Sequence, residues 1–263
     1  MSHMANVDQF QDGVVILIDA LGVKGIWRTQ DPNRVLDRWS AIVKYFQNIQ
    51  ELKPSEGQDM SIIDEIKPWY NVHVSNFSDT FIIIITAKQG KEFDFEEAMV
   101  LSGLIALGGF IEALNFNFLL RGAISYGKIF RDEHLCIGPA IDDAASWYEK
   151  PNFVGVICTP HTSFRLQNIK HKDRRQMLEF LFRDAKIPLR DNQTLPNNSM
   201  LNWITTYALQ KADYPTDIQD YEKQILEPAR LALAKIFSEQ PIDLSVKIKF
   251  ENTLDLLRPK TSK

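Results

Sequence analysis

Residues 80–86 read Thr-Phe-Ile-Ile-Ile-Ile-Thr. β-Branched side chains lose χ1 freedom in a helix and pack well on a pleated surface, so this run is a strand. Val14–Ile18 is a second, unbroken apolar run, which suits a central strand covered on both faces. The first of these strands in the chain runs into Asp19, and Asp79 directly precedes the second. An ionised carboxylate at the end of a buried strand is costly unless something pairs with it. The chain is thus built around a covered sheet with two acidic groups at strand ends.

The remaining elements follow from periodicity and punctuation. Asp31-Pro32 opens a helix to about Gln50, with Val35, Trp39, Ile42, Val43 and Phe46 at three-and-four spacing. Residues 53–65 are polar and loop-like. Trp69, Val72, Val74 and Phe77 lead into a tight hairpin turn at Ser78-Asp79. Asp94 and Glu97 have the spacing of a capping box ahead of a helix over 95–115, apolar on most sides. Leu119–Phe130 and Val154–Cys158 are strand-like, and Gly138–Lys150 is a short amphipathic helix. Phe180–Leu189 adds strand, 191–200 reads as a polar loop, and 214–257 reads as two helices. The order βαββαβαβ predicts an α+β domain on an antiparallel-containing mixed sheet, not a doubly wound parallel one. The expected division is 1–11 as a flexible N-terminus, with Met1 to Met4 a candidate cloning remnant, 12–190 as the catalytic domain, and 191–263 as a mainly helical C-terminal extension.

Composition narrows the function. With 44% apolar and 24% charged residues the chain is an ordinary globular one, neither disordered nor fibrous. Thirty Lys and Arg against 34 Asp and Glu leave a net charge of -4, which argues against a broad nucleic-acid groove but not against a cradle for one nucleotide. Cys136 and Cys158 lack metal or disulfide spacing, and His3, His73, His134, His161 and His171 form no ligand pattern, so a zinc hydrolase is not expected. Ser163 and Ser199 lack the G-x-S-x-G context of a serine hydrolase. The start is polar and the longest uncharged apolar run, Ala98–Ile111, is too short for a bilayer, so a cytoplasmic protein without a membrane partner is expected.

Adjacent central strands would bring Asp19 and Asp79 together, and two close carboxylates invite divalent cations. Each is also what a turn uses for its own stability. The backbone after Asp19, at Leu21, Gly22, Val23 and Lys24, offers N–H groups leading toward a helix, a nest suited to phosphate oxygens. Carboxylates beside a phosphate cradle are the parts of a phosphoryl-transfer site.

Four segments resemble the class III nucleotidyl cyclases, in family order over roughly residues 12–160. IDALGVKG (18–25) is similar to the first metal motif, and NFSDTFII (76–83) to the second metal aspartate on its hairpin. RGAISYGKIF (121–130) resembles the Arg-x-Gly-Ile strand, and IGPAIDDAASWYE (137–149) the glycine and two-alanine helix. The resemblance implies a ferredoxin-like βαββαβ core, with Asp19, Asp79 and the Ala20 carbonyl holding two Mn²⁺ or Mg²⁺ ions. It implies a homodimer with sites at the interface. Departures from the family matter as much. Ser75 and Leu135 stand where purine cyclases carry a base-reading lysine and aspartate, so ATP or GTP preference should be lost. Asp142 takes the place of the ribose-positioning asparagine, and Ser146 that of the transition-state arginine. Lys24, Arg121, Lys186 and Arg190 are the candidate replacement cations, Arg190 lying near the family's phosphate-binding lysine and Arg121 being equally a structural partner for a buried carboxylate.

This pattern, with both aspartates kept, looks like the bacterial Pycsar pyrimidine cyclases, as does KFENTLDLL (249–257). It implies conversion of UTP to 3′,5′-cyclic UMP in antiphage defence, with a separate effector responding to the product. Cytidylate cyclase acting on CTP is the alternative, and a catalytically inactive nucleotide-binding module is the reading from another class. A diguanylate-cyclase-like palm is disfavoured, because Gly-Gly-Asp/Glu-Glu-Phe is absent from the hairpin at 76–80.

Overall fold

A computed structural model describes residues 10–23, 26, 29–51, 65–132, 135–169, 172–204, 227–238 and 244–257. Its elements are β1 (Gln11–Leu21), α1 (Pro32–Glu51), β2 (Tyr70–Phe77), β3 (Thr80–Ala87), α2 (Phe95–Asn115), β4 (Leu119–Arg131), β5 (Cys136–Ile137), α3 (Pro139–Trp147), β6 (Gly155–Cys158), α4 (Pro160–Gln167), α5 (Lys172–Leu181), β7 (Phe182–Pro188), β8 (Thr194–Leu201), α6 (Glu227–Ser238) and α7 (Leu244–Leu257).

The protein is α+β, with an eight-stranded mixed sheet in the order β2-β3-β1-β4-β6-β8-β7 and β5 paired to β4. β1 lies antiparallel between β3 and β4, β2 is antiparallel to β3, and β4 is parallel to β6. The first four strands and two helices therefore form a ferredoxin-like βαββαβ unit, with each helix crossing between strands that another strand separates. Alternate residues of β1 serve two cores. Val14, Ile16 and Ile18 join the helical layer of Val35, Ile42 and Phe46 from α1 and most of α2. Val15 and Leu17 face the other way, against Ala140 and Ala144 of α3. This explains the unbroken apolar run.

α2 is long and apolar enough to cross a membrane by length and composition, and 78% of that stretch is buried inside the protein. Asp94 caps it, accepting from the Glu96 and Glu97 amides. The expected reciprocal half of the capping box is missing. The Asp94 N–H donates to the Tyr70 hydroxyl instead, and Glu97 is drawn to Arg174 and Lys91.

Three expectations need correcting. Asp19 does not end β1, because Ala20 and Leu21 still pair with Leu120 and Leu119 of β4. The polar stretch expected as a loop is β8, antiparallel to β7, so the boundary expected at 190/191 falls inside the turn between two strands of one sheet. β8 escapes recognition because its buried polar residues are paired rather than absent: Asn198 Nδ2 donates to the Cys158 carbonyl, and Ser199 Oγ to Asp184 Oδ1. Between β6 and β7, α4 and α5 also form where no element had been assigned. The segment 53–65, apart from Glu65, lies outside the described residues, as does 214–226 of the expected helical region.

Candidate functional site

The register of β1 and β3 sets Asp19 opposite Thr80, one residue past the Ser78-Asp79 turn. The Ala20 amide donates to the Asp79 carbonyl at 3.0 Å, so Asp19, near the end of β1, lies beside the turn that carries Asp79. Ser78 takes a positive φ of 58°, which closes the two-residue hairpin. Gly122, beside Arg121, lets β4 approach β1 closely; a Cβ there would meet the Leu17 carbonyl oxygen at 2.3 Å.

The Asp19 carboxylate is fully engaged. Arg121 Nε and Nη2 donate to its Oδ2 at 3.0 and 2.8 Å, and the Thr80 hydroxyl donates to Oδ1 at 3.1 Å. Arg121 Nη2 also donates to Glu149 Oε1 at 2.8 Å, and Arg190 Nη1 stands 3.8 Å from Glu149 Oε2. The chain of charges Asp19–Arg121–Glu149–Arg190 thus alternates in sign. Arg121 keeps one donor unused: Nη1 is buried and without a hydrogen-bond partner. The Asp79 carboxylate, in contrast, has no hydrogen-bond or ion-pair partner among the described residues.

Tyr148 completes the cluster. Burial, then the Glu149 and Asp19 charges, and to a smaller degree Asp79, push its hydroxyl pKa up, with Arg121 opposing. The Arg190 pKa is held down by burial and by Arg121, with Glu149 and Asp19 acting against them. Both shifts mark Tyr148 and Arg190 as electrostatic neighbours of the Asp19 carboxylate.

Not every expected residue joins this cluster. Leu21 ends β1; Gly22 follows with φ 79°, and its carbonyl accepts from the Ile26 amide, which marks a helical turn after the strand. Lys24 lies outside the described residues. Asp142 is exposed in the first turn of α3, with no hydrogen bond or ion pair to Asp19 or Asp79. Ser146 is exposed and donates to the Asp143 carbonyl. Lys186 is exposed on β7. Ser75 is exposed on β2, its Oγ 2.9 Å from His73 Nε2, and Leu135 is exposed, its amide donating to Asp132 Oδ1; neither bonds to this cluster among the described residues. Sequence reading did not bring Thr80, Tyr148 or Glu149 to this site; only strand register and the α3–β6 connection reveal them.

As donors, two carboxylates and the Ala20 carbonyl are hard oxygens, the right kind for Mg²⁺ or Mn²⁺. Their number is small, and among the described residues no group of three or more His, Cys, Asp or Glu could hold a metal ion. The set fits such an ion through Asp79, whose carboxylate has no partner among the described residues, with Asp19 contributing in competition with Arg121.

No protein-family model and no curated protein sequence matches the chain. Solved structures similar in outline include the adenylyl cyclase CyaB of P. aeruginosa, at 12% identity, TM-score 0.43, and 80% of this chain over 98% of that one. Another is the catalytic core of a rhodopsin-guanylyl cyclase with converted specificity in complex with ATPαS, at 9% identity, TM-score 0.44, covering 73% and 95%. A bacterial light-regulated adenylyl cyclase gives 12% identity, TM-score 0.40, covering 74% and 52%. At such low identities and scores these likenesses bear no weight, and the fold rests on the strand order above.

Proposed function

We propose that the protein is a nucleotidyl cyclase acting on a pyrimidine triphosphate, UTP with CTP as the alternative substrate. The observation that carries this reading is the Ala20–Asp79 backbone hydrogen bond, which sets the Asp79 turn beside Asp19 on the neighbouring strand, next to a buried arginine with a spare donor. The reaction is attack of the ribose 3′-oxygen on the α-phosphorus. A 3′-O–P bond forms, the bond from the α-phosphorus to the bridging oxygen of the β-phosphate breaks, pyrophosphate leaves, and the 3′-hydroxyl proton passes to water.

Asp79 and Asp19, with the Ala20 carbonyl, would hold two divalent ions, Mn²⁺ or Mg²⁺. Bound there, such ions supply Lewis acidity toward the 3′-hydroxyl and offset the triphosphate charge. The chain's own cations take the rest. Arg121 Nη1 is a ready donor for a phosphate oxygen, and Arg190 adds positive charge on the same side, so these two stand in for the family arginine replaced by Ser146. Thr80 and Arg121 keep the Asp19 carboxylate oriented. A homodimer belongs to this reading, since Phe77, two residues from Asp79, is 84% exposed and Ile137 on β5 is 43% exposed. By the same family resemblance Asp142, exposed on α3, would face the ribose across that interface, and Leu21, Gly22 and Val23 would line the triphosphate. A cytoplasmic second messenger of antiphage defence, read by a separate effector, comes with the resemblance to Pycsar cyclases.

A second reading has its own support. Arg121 already neutralises Asp19, as in a module that binds a nucleotide without turning it over. Incubation with UTP, CTP, ATP or GTP and Mn²⁺ separates the two. The expected result is a cyclic monophosphate from UTP, lost by 100-fold or more in Asp79→Asn, on the scale of a removed metal-assisted step. Four intact triphosphates would overturn the cyclase in favour of the module.

A further inference from the structure

Glu149 lies in the turn after α3, and its carboxylate spans two cations. Oε1 accepts from Arg121 Nη2 at 2.8 Å, and Oε2 lies 3.8 Å from Arg190 Nη1. Asp19 offsets one of these two positive charges and Glu149 the other. The partners differ in freedom. The Arg121 side chain is 6% exposed and gripped by Asp19, whereas that of Glu149 is 51% exposed. The backbone around Glu149 does not depend on its side chain. The Arg190 amide donates to the Lys150 carbonyl at 3.0 Å, the Asn152 amide donates to the Pro188 carbonyl at 2.8 Å, and Pro151 forms a bridge with Leu189. The carboxylate can therefore swing into solvent while the turn stays in place, and an ion pair with a half-exposed member is held only weakly. Its departure frees one Nη2 proton of Arg121 beside Nη1, which has no partner to begin with.

We infer that Glu149 is an internal competitor: its carboxylate fills the place between Arg121 and Arg190 that a phosphate group of a polyphosphate ligand takes, and such a ligand binds by displacing it. The inference rests on the proposed reading of Arg121 and Arg190 as phosphate-binding cations, and not on the base or on turnover. A carboxylate brings one charge and two acceptor oxygens. The terminal phosphate of a di- or triphosphate brings more of both and wins the exchange, whereas a phosphodiester, with its single charge, has no such advantage. Glu149 thus sets a charge threshold, giving way to a polyphosphate and returning when only a cyclic monophosphate remains.

Inorganic tripolyphosphate carries neither base nor sugar, so its binding to the full chain tests the exchange alone, measured by calorimetry without metal at low ionic strength. Glu149→Gln keeps the shape and one acceptor for Arg121 while removing the charge. It should bind tripolyphosphate about tenfold more tightly than the wild type, the scale of one charge-assisted hydrogen bond no longer in competition. Asp12→Asn removes the same charge toward the other end of β1, about 23 Å away at the rise of a strand, and should leave the affinity within about twofold. In an Arg190→Gln background the gain from Glu149→Gln should shrink to about threefold or less, because the two side chains act on one site. Urea unfolding of each variant controls for folding. Equal or weaker binding by Glu149→Gln, the same gain in Asp12→Asn, a gain undiminished by Arg190→Gln, or no binding by any of the proteins overturns the inference. Tighter binding by Glu149→Gln without a cyclic product from any triphosphate upholds it and sinks the cyclase; a cyclic product with the affinity unmoved does the reverse.

Discussion

Removing the Asp19 carboxylate strands a guanidinium whose side chain is 6% exposed. Breaking a buried pair by taking one partner costs about 3–5 kcal/mol, and the half-exposed Glu149, which still pairs with Arg121, holds the loss to the low end, about 3 kcal/mol. Asp19→Ala is therefore expected to lose that much stability in urea unfolding, and Asp19→Leu with Arg121→Met to regain most of it. Asp79→Ala should change stability by about 0.5 kcal/mol or less, since its carboxylate has no partner to abandon. The contrast separates two aspartates that sequence makes look alike. Both were legible as acids beside apolar strands, because a charge next to an isoleucine run needs a reason, though Asp19 proves to lie two residues inside β1. That Arg121 answers only Asp19 was not legible, since the β1–β4 register that sets Asp19 opposite Arg121 joins strands a hundred residues apart.

Elements with a strong local signal were readable, and those defined by partners were not. β1, β3 and α2 follow from apolar runs and a cap, whereas β8 carries its polar residues inward and hides as a loop. The α2 cap shows the limit within a readable element. Burial alone would raise the Asp94 pKa, but the Glu97 amide and Arg174 outweigh it and hold the carboxyl below its usual value. A lowered carboxylate contributes fully above the unfolded pKa, near 3.8, and its contribution is lost as pH falls through the folded value. Asp94→Ala should cost about 1 kcal/mol at neutral pH, the usual worth of a helix cap. Urea midpoints measured at falling pH should converge for wild type and variant below pH ~3.8.

Across the whole molecule, the C-terminal helix is tied to the middle of the sheet rather than hung from its end. Thr253 on α7 is 1% exposed, and its hydroxyl accepts from the Val154 amide at 2.9 Å while donating to the Lys249 carbonyl. Asn252 Nδ2 donates to the Asn152 carbonyl at 2.7 Å, and Arg183 Nη2 of β7 donates to the Leu256 carbonyl at 2.6 Å. Residues 152–154 lead into β6, which joins the ferredoxin-like half of the sheet to β8 and β7. Leu256 packs in the same apolar cluster as Tyr148, so α7 braces the connection that carries Tyr148 and Glu149 toward Asp19. Thr253→Val keeps the shape and leaves the Val154 N–H buried without an acceptor, a cost of about 1–3 kcal/mol. For a chain of this size each kcal/mol is worth about 2–4 °C, so thermal unfolding should shift down by several degrees. Thr253→Ser keeps the hydroxyl and should fall by clearly less. Equal shifts for the two substitutions would mean that the methyl group, not the hydrogen bond, secures α7 to the sheet.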